Sequence, residues 1–210
     1  MFESGSSIVP FGPGLGRDTR DDICDLLLRA DGFASHAYSR EMNWNSWLHY
    51  HQQALQKYGC KWQSVTTVPT QRIHKLSEIE AIHLTIKSFD DPQRLFDLAR
   101  LVLETLGIHA FAERFFRHGQ AGDRLLSWQV APCEINADGE VMLMNFGVSL
   151  QANVGRQAGG SVGPLDRELV LKISGCAYVF DAHGYAAFYR QEVRDLLRDK
   201  ALGQLVRMEL

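Results

Sequence analysis

The 210-residue chain is 45% hydrophobic and 22% charged, with a formal net charge of -3, an ordinary balance for a globular domain. That length supports one domain with a full core of its own. With no basic run longer than two residues, the chain gives no sign of dedicated nucleic-acid binding.

Residues 1–16 hold Gly5, Pro10, Gly12, Pro13, Gly14 and Gly16 and read as a flexible N-terminal arm, with residues 17–210 as a single α+β domain. Gly12 to Gly16 superficially resemble a phosphate loop, but no strand signal precedes them and no Lys-Ser or Lys-Thr follows. A first helix is expected over residues 19–30, with Asp18 as cap and Gly32 as stop. A second, over residues 40–58, runs from Ser39 as cap to Gly59 as terminator and is unusually aromatic: Trp44, Trp47, Tyr50 and Tyr58. Strands are expected over residues 60–68, ended by Pro69, and 78–89. Asp91-Pro92 opens and Gly107 closes a helix over residues 91–106.

Residues 108–117 and 124–135 read as further strands. Asn136-Ala137-Asp138-Gly139 is a hairpin turn, because Gly accepts a positive φ. The clearest strand follows, over residues 140–154. Met142, Met144, Phe146, Val148, Leu150, Ala152 and Val154 form an apolar row, and Asn145, Gly147, Ser149, Gln151 and Asn153 alternate with it. Such alternation implies one face in a core and one in water. A Gly-rich loop at 155–166, a returning strand at 168–180 with a bend at Gly175, and a helix at 181–200 capped by Asp181 complete the chain.

The implied fold is α+β: a curved antiparallel meander packed by helices gathered on one face, in the order α-α-β-β-α-β-β-β-β-α. That order is similar to the cone folds of the nuclear transport factor type. A ferredoxin-like core on residues 79–135 is the alternative.

The eight histidines offer no metal pattern, and no metal or cofactor is expected. His49 and His51 diverge on a helix, and Glu80 and His83 diverge on a strand. Ser149 sits in mid-strand without the second glycine of a nucleophile elbow. Cys24, Cys60, Cys133 and Cys176 contain no Cys-x-x-Cys pair and read as reduced, mostly buried thiols. Residues 1–16 lack a cationic start followed by an apolar segment, and no apolar run approaches a spanning helix. A soluble, cytoplasmic protein is therefore expected.

Three functional readings follow. The first is a non-catalytic binding module that recognises a protein partner or a small ligand through Trp44, Trp47, Tyr50, His51 and Tyr58, since rings with polar handles suit pocket walls. The second is an enzyme with a pocket between sheet and helices, its acid and base drawn from His51, His83, His109, Glu113 and Asp181. The third is a membrane-active protein that inserts the amphipathic hairpin of residues 140–180. An exposed apolar sheet face would also allow a homodimer.

Overall fold

The computed structural model describes residues 7–40, 42–78, 108–118, 124–155, 166–198 and 205–209. In chain order the elements are β1 (Ser7–Phe11), α1 (Arg17–Ala37), α2 (Trp44–Lys57), β2 (Cys60–Ile73), a 3-10 turn (Leu76–Glu78), α3 (Ile108–Glu113) running into a π-helical turn (Arg114–His118), β3 (Arg124–Val130), β4 (Cys133–Ile135), β5 (Val141–Gly155), β6 (Asp166–Phe180), α4 (Ala182–Phe188), α5 (Arg190–Arg198) and β7 (Leu205–Glu209). The expected strand at 78–89, beyond Glu78, lies outside the described residues. So do the expected helix at 91–106 and residues 156–165 of the Gly-rich loop.

Several expectations change. Residues 7–11 are not part of a loose arm but a fully buried strand. Ile8 enters one core while Val9 and Phe11 enter another, so the segment has no polar row to announce it as a strand. Helix α1 starts from Gly16 rather than Asp18, and it runs through Gly32 to Ala37. Burial of Ala30, Asp31 and Ala34 overrides the ~1 kcal/mol cost of a helical glycine. Helix α2 starts at Trp44 instead of residue 40 and stops, as expected, at Gly59, whose φ is +100°.

Strand β2 continues past Pro69 through a register shift between Val68 and Gln71. Among the described residues it is an edge strand, where a missing N–H is tolerated. Residues 108–118 are helical, not extended. Ile108, Phe111, Ala112 and Phe115 recur at three- and four-residue spacing and point into one core. The expected strand at 124–135 breaks at Ala131-Pro132 into β3 and β4, and the expected C-terminal helix divides at Tyr189 into α4 and α5.

The hairpin forms as expected. Gly139 has φ +81°, and Asn136 Oδ1 accepts from the amides of Asp138 and Glu140 at 3.1 and 2.8 Å.

The molecule is mixed α/β, and its described residues form a seven-stranded, mostly antiparallel sheet in the order β2-β6-β5-β3-β1-β4, with β7 paired to β1 off this path. The centre is the β5–β6 hairpin, paired without a shift from Val141↔Phe180 to Gly155↔Asp166. At its middle the strands approach so closely that a Cβ on Gly175 would overlap the backbone of Asn145 and Phe146. That contact, rather than a bulge, is why residue 175 lacks a side chain.

The sheet is not a pure meander. Strand β1 runs parallel to β3, β4 and β7. Helices also flank both faces instead of one. Helix α3 covers the apolar row from Met142 to Ala152, with Leu126, Trp128, Leu171 and Ile173. Helices α1, α2, α4 and α5 cover the opposite face, over Val141, Leu143, Cys176, Tyr178 and Phe180. The polar row of β5 is therefore largely roofed by helices. Asn145 and Ser149 are buried, and the expectation of a face in water fails along most of the strand.

The C-terminal helices are tied down by charge. Arg190 holds the buried Asp22 carboxylate through two bonds of 2.7 and 2.6 Å, a bidentate geometry that only a guanidinium provides. Asp181 caps α4 by accepting from the Gly184 amide at 2.8 Å, which holds its carboxyl below the ordinary aspartate range, with Lys61 assisting. A carboxyl depressed in the folded state stabilises above its unfolded value and loses that contribution as pH falls through the folded one. Asp181→Ala should therefore cost about 1 kcal/mol at neutral pH. The gap to the wild type should be complete above about pH 5 and close in stronger acid. Urea midpoints across that range test this.

All four cysteines are free and buried. Burial pushes the Cys24 thiol up to about 11, and it pushes Cys60 and Cys133 well above the ordinary thiol value as well. At pH 8 these three should alkylate at least about a hundredfold more slowly than free cysteine, and promptly once urea unfolds the chain; mass spectrometry of iodoacetamide adducts reads both rates.

Candidate functional site

On the helix-covered side, the polar row of β5 crosses three environments in turn. Deepest is a buried polar cluster. His51 of α2 is fully buried, and its Nε2 lies 3.1 Å from Asp31 Oδ1 of α1. Asp31 Oδ2 accepts from the Ser7 hydroxyl of β1 at 3.0 Å. The same hydroxyl lies 2.8 Å from Gln129 Oε1 of β3, and Arg40 Nη1 approaches it at 3.3 Å. Gln129 Nε2 donates to Asn145 Oδ1 at 2.6 Å, and Asn145 Nδ2 lies 3.2 Å from His51 Nδ1.

Asp31 Oδ1 has a donor only when His51 carries its proton on Nε2. Gln129 Nε2 sits 2.9 Å from that same ring nitrogen, so the orientation of the Gln129 amide decides what it offers the ring. The cluster joins β1, α1, α2, β3 and β5. It is nearly closed to solvent, which suits it to fix how the helices seat on the sheet.

Next along the row is Gly147, where the Trp44 indole lies directly on the backbone and takes the space of a side chain. Trp44 stacks on Trp47 at 5.4 Å, and the Arg40 guanidinium stands 4.5 Å from the Trp47 ring and 5.5 Å from that of Trp44. Burial pushes the Arg40 guanidinium below its ordinary value, against the pull of Asp31. Trp47 is fully buried and donates from Nε1 to Ser35 Oγ at 2.9 Å.

Beyond Gly147 the roof ends, and a cleft of about 350 Å³ opens between the start of α2 and the sheet. Met42, Asn43, Trp44, Asn45 and Ser46 form its upper wall. Its floor is Leu125 of β3, Ser149 and Gln151 of β5, and Val170 and Lys172 of β6.

The five aromatic-helix residues therefore separate. Trp44 lines the cleft. Trp47 and His51 are sealed beneath α2, and Tyr58 is buried in the helix core with its hydroxyl 3.3 Å from Glu192 Oε1. Tyr50 is half-buried between Phe33 and Tyr38. Each successive residue of a helix is rotated by about 100°, and only the tertiary packing says which arc faces space.

Among the described residues the candidate acids and bases do not converge. His51 is inside the cluster, Glu113 pairs with Arg117 at 3.3 Å, Asp181 is a helix cap, and His109 is exposed on α3, across the sheet. His83 lies outside the described residues. Sequence reasoning missed Ser7, Asp31, Arg40, Gln129 and the lining residues Met42, Leu125 and Lys172. Nothing local marks them, since Ser7 and Gln129 meet across 122 residues.

No helix among the described residues is long and apolar enough to cross a membrane, which says nothing of strands. No family model matches the chain, and no curated protein does. Among solved structures, the chain is similar to the Evf virulence factor, with 10% identity, a TM-score of 0.46, and coverage of 98% of this chain and 85% of that one. It is also similar to the activated Cyt2Ba monomer from Bacillus thuringiensis subsp. israelensis, with 13% identity, a TM-score of 0.44, and coverage of 85% and 99%. A delta-endotoxin follows with 11% identity, a TM-score of 0.40, and coverage of 86% and 85%. Similarity at this level carries no activity from those proteins to this chain.

Proposed function

We propose that the protein is a soluble, non-catalytic binding module, and that the cleft beside Trp44 takes a small ligand. One observation carries this reading. The helical roof over the polar row of β5 stops short and leaves a concave, mixed polar and apolar space at the first turn of α2. A pocket with an aromatic wall and a few fixed polar groups is what small-molecule recognition needs. The dispersed acids and bases favour binding over acid–base catalysis.

Leu125 is 44% exposed at the cleft floor, so Leu125→Trp fills the space without disturbing a core. Native mass spectrometry of the protein drawn gently from its own cells should retain a small molecule on the wild type and none on Leu125→Trp. Equal retention on both chains would remove the cleft as the site, and a bare wild-type chain would count against the reading itself.

A second reading, a membrane-active hairpin, is supported by the length of β5 and β6. Each strand has 15 residues, against about 10 needed to cross a bilayer. One face of the pair is apolar along its length and the other turns polar from Asn145 onward. Release of dye from anionic liposomes would favour it. No release across acid and neutral pH, nor after limited proteolysis, would eliminate it.

A further inference from the structure

We infer that the cleft is an anion site, built to hold the carboxylate or phosphate head of a ligand whose apolar body lies against Trp44 and Leu125; this rests on the cleft being the binding site. Three features meet there.

The first is the start of α2. Asn43 caps it without a side-chain hydrogen bond, and the first amide to find a helical acceptor is that of Trp47, bonded to Asn43 O at 2.9 Å. Among the described residues the amides of Trp44 and Ser46 have no backbone acceptor, and both residues line the cleft. Unpaired amides at the positive end of a helix favour an anion.

The second is Ser149. It is only 6% exposed, lines the floor, and its side chain makes no hydrogen bond among the described residues. A nearly buried hydroxyl that faces a cleft with no protein partner is a donor held ready for something else.

The third is Lys172, which sits directly across from Ser149 in the β5–β6 register. It is exposed and makes no ion pair among the described residues. Among the described residues no acidic side chain lines the cleft. Amides, hydroxyl and ammonium are all donors, while Met42, Trp44, Leu125 and Val170 supply the apolar surface. The chemistry selected is an amphiphile with a single anionic head.

Isothermal titration of the full chain with octanoate, octyl phosphate and octanol tests this. Either or both anions should bind at least about tenfold more tightly than octanol, and the preferred anion identifies the head group. Lys172→Gln, a surface change, should remove most of that advantage and leave octanol binding unaltered. Ser149→Ala should weaken the anions in the same direction by a smaller factor. Equal binding of all three probes, with Lys172→Gln silent, would overturn the anion site while leaving the cleft a binding site. Affinities unchanged by Leu125→Trp would overturn the cleft itself. Absence of any binding at millimolar probe would overturn the anion site.

Discussion

Asp31→Ala is expected to destabilise the protein by about 3–5 kcal/mol, the usual cost of removing one partner from a buried charged cluster. Asp31 is 7% exposed and its carboxylate faces Ser7, Arg40 and His51 at once. Its loss removes the carboxylate that the His51 ring and the Ser7 hydroxyl face inside a largely buried cluster. The ion pair itself contributes less, because the folded state has already lost the hydration of both charges. The expected penalty comes from burying the His51 ring and the Ser7 hydroxyl without the carboxylate they face.

Asp31→Asn keeps the shape and should cost less. An exposed pair such as Arg198–Asp195, at 3.1 Å, should cost under about 1 kcal/mol when broken. Urea unfolding of the three variants ranks them. Equal midpoints for Asp31→Ala and the surface variant would mean that the cluster does not seat the helices.

Gly147→Val should displace Trp44 and cost about 1–3 kcal/mol, the range for overpacking a filled site. The strand backbone at Gly147 is ordinary, with a negative φ. Glycine is required there because the indole of Trp44 occupies the position of a Cβ. Trp44 is also stacked on Trp47, so it cannot retreat inward and must swing into the cleft. Two readouts should therefore move together: tryptophan emission, which should shift toward that of a solvated indole, and affinity for any cleft ligand, which should fall. A lowered urea midpoint with both unchanged would place the strain elsewhere.

Some of this molecule is legible without a structure. The alternation of residues 140–154, the Asn136–Gly139 turn, the Asp181 cap and the Gly59 stop are local signals, set by side-chain period, φ preference and capping chemistry. The structure contains each of them.

Other features carried no such signal. Strand β1 is buried on both faces and so lacks alternation, and the segment of α3 reads as extended because a short apolar run is ambiguous between periods. The largest difference concerns the second face of β5. A period of two says that residues 145, 147, 149 and 151 share a side, but not what covers that side. Helices α1 and α2 decide it, by enclosing Asn145, laying an indole on Gly147 and stopping short of Ser149. The sequence by itself determined the central strand, its turn and its caps, because those depend on neighbours in the chain. Only the tertiary structure decided which polar residues became a sealed cluster and which became a cleft, because that depends on where helices distant in sequence come to rest.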